Sequence, residues 1–264
     1  MTQLVGFAER SNHFGANAGR RISPRDPQGK SLGRHSPQKP HRNPESDPTE
    51  MPDDPDACAS VARRLEQAGV GDGNPIVVIH VSAGNPFRRW PAASFVDLIC
   101  RLASADPSRR IVLTSGPSNA TAAATIAEGA RARLSPHLRD AVVRCGEFGL
   151  AELRALLGRA SLYIGGDSGP LHVAGTTSVP VVGLYGPTLP VRSLPYRSAS
   201  FINEIAEAGA LPCRPCNQRT CEPGDFRCLA GISADAVAAA AERAMSRGRV
   251  ILPDGRQPAI PRRG

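Results

Sequence analysis

Ile76-Val77-Val78-Ile79-His80-Val81 follows the turn Gly71-Asp72-Gly73-Asn74-Pro75, and all but one of its six residues are β-branched. A strand with one wet face would alternate apolar and polar side chains; this run does not, so it reads as a strand buried on both faces of a parallel sheet. Outward from it, the pattern changes period repeatedly. Residues 95–102 are helical in spacing, Ile111-Val112-Leu113-Thr114 is a strand, 120–133 helical, Ala141-Val142-Val143 a strand, 150–157 helical and Leu162-Tyr163-Ile164 a strand. A further helix opens at Leu171, and residues 179–185 form the last strand. Five strands separated by helices predict an α/β domain with a doubly wound, Rossmann-like parallel sheet. A short helix over 57–69 precedes it, and a helix over 233–246, with Ser233 as N-cap and Asp235 in its first turn, packs back on it.

The flanks read differently. Residues 1–56 carry Pro24, Pro27, Pro37, Pro40, Pro44, Pro48, Pro52 and Pro55 among polar and basic residues with no apolar period. Such a segment buries too little surface to offset the entropy of ordering, so it is expected to be disordered, as is the Pro- and Arg-rich tail 248–264. The folding unit is therefore residues 57–247. The chain of 264 residues has a formal charge of +8, which favours anionic partners such as nucleic acid, lipid headgroups or phosphorylated small molecules. Aromatics are only 4% of the residues, too few for a base-stacking surface, and nucleic acid is set aside. No apolar run reaches the roughly 20 residues of a membrane span or the length of a secretory core, so a cytoplasmic chain, at most peripheral at the inner face of a membrane, is expected.

In such sheets ligands lie outside the carboxyl ends of the strands, so the residues directly after each run carry the functional reading. After the first strand, Ser82-Ala83-Gly84-Asn85-Pro86-Phe87-Arg88-Arg89-Trp90-Pro91 joins a flexible turn to two guanidinium groups suited to phosphate oxygens. The alternative is a solvated loop with Trp90 covering the core. After the second strand, Ser115-Gly116-Pro117-Ser118-Asn119 leads into a helix with Ser118 or Asn119 as N-cap. The most specific segment follows the fourth strand: Gly165-Gly166-Asp167-Ser168-Gly169-Pro170-Leu171-His172-Val173-Ala174. Its glycines admit close backbone approach, Pro170 suits the first helical position, and the helix start presents amides and a positive dipole end to an anion. Ser168 and His172 are four apart, which stacks hydroxyl and imidazole over that start. After the fifth strand, Gly186-Pro187-Thr188-Leu189-Pro190 is a rigid turn in which Thr188 is a donor for a ligand oxygen.

Arg-Arg-Trp-Pro after the first strand, Gly-Gly-Asp-Ser-Gly-Pro-Leu-His-Val-Ala after the fourth and Tyr-Gly-Pro-Thr after the fifth resemble, in order and spacing, glycosyltransferase family 9, the ADP-heptose:lipopolysaccharide heptosyltransferases and their relatives. The likeness runs from about Pro75 to Met245 and covers the second, nucleotide-sugar-binding half of the family's two-domain GT-B arrangement. It implies that residues 57–247 are a donor-binding domain and that Asp167, Ser168, Gly169 and His172 hold the diphosphate and sugar of a nucleotide-diphospho-sugar, with Arg88, Arg89, Asn119 and Thr188 around them. Arg88 stands where the family usually has a phosphate-contacting Lys. Asn119 falls near a Glu that contacts the nucleoside, and no carboxylate occurs between Ser115 and Ala127. The implied reaction is inverting transfer to a saccharide or lipid-linked acceptor in cell-envelope polysaccharide or lipopolysaccharide synthesis, with no cofactor required. The family's general base lies in the first domain, whose place is taken here by the Pro-rich segment, so no catalytic base is assigned. A separate N-terminal half, or a catalytically silent remnant that binds without turnover, are the corresponding expectations.

One cluster stands apart. Cys213, Cys216, Cys221 and Cys228 crowd the segment 211–230, while Cys58, Cys100 and Cys145 are scattered. A C-x2-C pair is a usual half-site for zinc or an iron-sulfur cluster, but the second half lacks that spacing, so a metal, free thiols and two disulfides all remain open.

Overall fold

The computed structural model describes residues 49–116 and 119–248. Nearly all of the segment 1–56, the tail beyond Gly248, and Ser118 as a helix cap lie outside the described residues. The first helix, α1 (Pro55–Gln67), begins two residues earlier than expected because its cap is Asp54, whose side chain accepts the amides of Asp56 and Ala57 while Pro55 occupies the first turn. Val61 and Leu65 are its buried stripe, and Gly69 closes it at φ +75°, a conformation that favours glycine.

The sheet has six parallel strands in the order β3-β2-β1-β4-β5-β6. These are β1 (Ile76–His80), β2 (Arg110–Thr114), β3 (Val142–Val143), β4 (Leu162–Gly166), β5 (Val181–Leu184) and β6 (Asn203–Ala206). The doubly wound α/β fold is as expected, with one strand more. The β6 strand escapes a search for apolar runs because Asn-Glu-Ile-Ala is an edge strand with a single buried residue, Ala206.

Period two sorts the side chains of β1 between two layers. Val77 and Ile79 face α2 (Ala92–Ala105), α3 (Ala120–Arg133) and α8 (Ala234–Gly248); Ile76 and Val78 face α1, α4 (Leu150–Arg159) and α5 (Gly169–Gly175). All five positions of β1 are buried, which is why its sequence does not alternate. Trp90 lies in the first layer, edge-on to Phe95 at 4.8 Å and donating its indole N–H to Ile232 O at 3.0 Å. Ser233 caps α8, its hydroxyl accepting the Ala236 amide, and a bidentate pair from Arg109 to Glu242, at 2.6 and 2.8 Å, fastens that helix to the start of β2. Two short helices remain: α6 (Pro190–Ser193) follows β5, and α7 (Arg227–Ala230) closes the cysteine segment.

Gly165 has a core role as well: a Cβ there would collide with the Tyr163 hydroxyl. From β1 the chain proceeds outward to β2 and β3, then crosses back to β4 on the other side of β1. The strand order therefore reverses between β1 and β4, and the crevice outside their carboxyl ends is where such sheets take ligands.

Candidate functional site

Three strand exits converge there. The backbone at Gly166 lies so close to the carbonyl of Arg88 that a Cβ would stand 3.2 Å from it, so a bare residue lets the turn Pro86–Arg88 cross the end of β4. Asn85 fixes that turn by accepting the Phe87 amide at 2.9 Å. The result aims Arg88 at Asp167: its Nη1 is 3.0 Å from the Asp167 carbonyl and 3.4 Å from Oδ2. From the β5 exit, the Thr188 hydroxyl donates to the same Oδ2 at 2.7 Å. Asp167 is buried, 5% exposed, with its charge answered by a guanidinium and a hydroxyl. Its negative charge, after burial, also pushes the Tyr185 phenol well above its usual range. Arg88 is half-buried, and its Nη2 makes no hydrogen bond to a described residue.

Beside this group Ser168 opens α5, its hydroxyl turned back to Gly166 O at 3.3 Å. His172, one turn further, is exposed. A Cβ on Gly169 would meet open space. The helix start itself has less to offer an anion than the sequence suggests: α5 has seven residues, Pro170 has no N–H, and the Leu171 amide is spent on Ser168 O at 3.0 Å. Positive charge here comes chiefly from Arg88. Thr188 likewise differs from its expected part, since its single O–H is already given to Asp167. The structure thus brings Arg88, Asp167 and Thr188 together, with Ser168, Gly169 and His172 on the adjoining turn. Arg89 turns away, exposed, donating Nε to Ala83 O at 2.9 Å. Asn119 stands at the start of α3, beyond the end of β2 and two strands from β4.

A second polar group, unmarked in the sequence except as a lone imidazole in an apolar run, lies at the ends of β1 and β2. His80 Nδ1 is 3.0 Å from Thr114 Oγ1, Nε2 is 3.1 Å from Ser82 Oγ, and Ser82 Oγ accepts the Gly116 amide at 2.8 Å. Both ring nitrogens thus meet hydroxyls, each of which can donate to or accept from the ring, so the imidazole is satisfied in either neutral tautomer. Burial lowers the His80 pKa to about 4, so the ring is neutral at pH 7.

The cysteine segment lies against both site loops. Cys213, Cys216, Cys221 and Cys228 line one cavity of about 280 Å³ together with Phe87 and Phe226. Burial raises the Cys228 thiol, and the neighbouring Cys216, Cys213 and Cys221 raise it further, as expected of thiols gathered in one place. All four are free thiols, not the two disulfides left open above. Among the described residues no three His, Cys, Asp or Glu side chains are placed to hold a metal ion. The segment is anchored by Arg214, whose Nη2 donates to Thr188 O and Glu207 Oε2, each at 2.9 Å, and whose Nη1 donates to Gly209 O. Gln218 reaches the other loop, accepting from both Asn85 and Arg88. The contacts to the site loops, Arg214 to Thr188 and Gln218 to Asn85 and Arg88, have no local sequence signal, because each joins residues far apart in the chain. No helix among the described residues is long and apolar enough to cross a membrane.

Comparison with known proteins agrees with this placement. The family pattern described as glycosyltransferase family 9 (heptosyltransferase) matches residues 45–225. Lipopolysaccharide heptosyltransferase 3 of Escherichia coli is 34% identical over 142 residues, 53% of this chain and 39% of that protein. Lipopolysaccharide core heptosyltransferase OpsX of Haemophilus influenzae is 37% identical over 65 residues, 25% of this chain and 19% of that protein. The chain thus spans well under half the length of these curated relatives. Among solved structures, a family 9 glycosyl transferase from Veillonella parvula superposes with a TM-score of 0.58 at 21% identity, over 75% of this chain and 53% of that one. The E. coli ADP-heptose lipopolysaccharide heptosyltransferase II gives 0.54 at 17% identity, over 75% and 54%. At such identities the structural likeness is one of fold. Three strand-exit motifs in order, a sheet that reverses between β1 and β4, and a family pattern over most of the chain lead to one conclusion: the chain belongs to glycosyltransferase family 9.

Proposed function

We propose that residues 57–247 bind the nucleotide-diphospho-sugar donor of a heptosyltransferase-like enzyme of lipopolysaccharide or related cell-envelope synthesis. The observation that carries this reading is Arg88: held by Asp167 at the sheet's reversal point, with Nη2 uncommitted to any described residue, it offers a fixed cation to a diphosphate. In the proposed reaction an acceptor hydroxyl attacks the anomeric carbon from the face opposite the diphosphate. The new C–O bond forms as the bond to the leaving diphosphate breaks with its electron pair, and the hydroxyl proton passes to a base. Negative charge grows on the leaving group, where a preorganised cation contributes a few kcal/mol to the transition state. Arg88 supplies it, with His172 and Ser168 lining the sugar side and Asn119 on the side of the nucleoside.

Asp167 is not that base, since Arg88 and Thr188 already hold its carboxylate. The base and the saccharide or lipid-linked acceptor site are provided outside the described sheet, by a second Rossmann-like half. This same observation favours a second reading, a module that binds donor without turning it over. Calorimetric titration with ADP, UDP, GDP and inorganic phosphate tests both: a nucleoside diphosphate bound more tightly than phosphate supports the donor site, and equal weak heats reject it. Transfer of sugar to a lipid-linked acceptor by the purified chain rejects the silent module. The cysteine cluster acts in this reading as a fold staple, and elemental analysis of the purified chain distinguishes thiols from zinc or iron.

A further inference from the structure

Arg88 has a partner that the donor-binding reading leaves without a role. Gln218, in the middle of the cysteine segment, accepts the Arg88 Nε–H at 2.8 Å and the Asn85 Nδ2–H at 3.0 Å with the same oxygen, Oε1. Its backbone is left-handed, φ 58°, a conformation uncommon for a residue other than glycine. An edge-on contact between Phe87 and Phe226, with ring centroids 5.3 Å apart, presses the same two loops together one residue away. Each contact falls on the turn Pro86–Arg88 or on its cap Asn85.

The chemistry of the guanidinium gives this arrangement a meaning. Arg carries five N–H donors in a rigid plane, so fixing two of its nitrogens fixes where the third points. Nη1 is tied to Asp167 and Nε to Gln218, from opposite sides of the carbon. With Nη1 alone held, the side chain would still swing about that contact. Because Gln218 also binds Asn85, whose Oδ1 caps the turn, one oxygen sets both the backbone that carries Arg88 and the orientation of its side chain.

We propose that Gln218 is a positioning residue: it locks the plane of Arg88 so that Nη2 faces the donor's diphosphate, and it makes the cysteine segment a working wall of that site. The proposal rests on the donor-binding reading above, and the experiment separates the two. Inorganic pyrophosphate is the probe, titrated calorimetrically into the full chain, into Gln218→Gly, which suits the left-handed backbone but removes the side chain, and into Gln218→Met, which keeps the length without a strong acceptor. Gln218→Glu keeps an acceptor oxygen at the same reach. Both acceptor-free variants are expected to bind about tenfold more weakly with an unchanged melting temperature, Gln218→Glu is expected to stay within about threefold of the parent, and in an Arg88→Ala background Gln218→Gly is expected to cost nothing further. Parent-like binding by Gln218→Met, or an equal loss with and without Arg88, would overturn the positioning role and leave the donor site standing. Failure of the parent chain to bind pyrophosphate or any nucleoside diphosphate would overturn both.

Discussion

The His80–Ser82–Thr114 group and the Arg88–Asp167–Thr188 group occupy equivalent places in the fold, at the carboxyl ends of neighbouring parallel strands, yet they are built in opposite ways. In the first, both ring nitrogens are matched to hydroxyls and the whole is buried; nothing is left over for a ligand. In the second, a buried carboxylate is satisfied while the cation that satisfies it keeps donors in hand at a half-exposed edge. A closed polar network specifies structure, whereas an open one held from behind is prepared for a partner. Position at a strand exit does not distinguish them; the state of the remaining hydrogen-bonding capacity does.

The largest expected difference is in pH dependence. The folded His80 pKa of about 4 lies below the unfolded value of 6.5, so between these two values the unfolded chain binds more protons and stability falls as pH is lowered. A difference of that size corresponds to about 3 kcal/mol lost from pH 7 to pH 4. Urea midpoints of the parent and of His80→Gln over that range isolate the contribution from that of the carboxylates. The variant's slope should be shallower and its affinity for nucleoside diphosphate nearly unchanged. A parent-like slope would mean that the histidine is not closed off as described.

The converse holds for Arg88. Arg88→Ala is expected to weaken nucleoside diphosphate binding about thirtyfold, near 2 kcal/mol, while Arg88→Lys, which keeps the charge but not the plane that Gln218 orients, recovers only part of it. Titration of the three chains reads this directly. If Arg88→Ala instead lowers the melting temperature and leaves affinity intact, the two clusters are of one kind and the contrast fails.

Much of the fold was legible because it rests on local periodicity. The runs at β1, β2, β4 and β5 are apolar on both faces, and Ser233 marks the start of α8 without ambiguity. The β6 strand was hidden because an edge strand buries one residue in four, and the start of α1 because a proline-rich stretch contained its cap. In the site, the segments at Arg88, Asp167 and Thr188 were identifiable as strand exits, but their division of labour was not. That Thr188 serves Asp167, that Arg89 turns aside, and that Gly165 makes room for Tyr163 follow from three-dimensional packing. The holds of Arg214 on Thr188 and of Gln218 on Asn85 and Arg88 gave no signal, since these partners lie 26 to 133 residues away.

Gly165 and Gly166 sharpen the same contrast within a single strand. A methyl group on Gly165 meets the Tyr163 hydroxyl in a fully buried layer, so Gly165→Ala is expected to cost about 1 to 2 kcal/mol of stability in chemical denaturation. Affinity measured on the folded fraction should hold. Gly166→Ala presses on the Arg88 carbonyl and should lower affinity instead.

The smallest effect is the most discriminating. If Thr188 donated to a ligand oxygen, the loss in Thr188→Val would be independent of Arg88. As placed, its hydroxyl shares the Asp167 carboxylate with Arg88. Removing it concentrates that negative charge on the guanidinium, which is then drawn inward and less available to a diphosphate. Thr188→Val should therefore weaken binding about fivefold, near 1 kcal/mol, with Thr188→Ser close to the parent. In an Arg88→Ala background the loss should largely vanish, because there is no cation left to misdirect. A full fivefold loss in that background would instead return Thr188 to direct contact with the donor and leave Asp167 ordered by Arg88 alone.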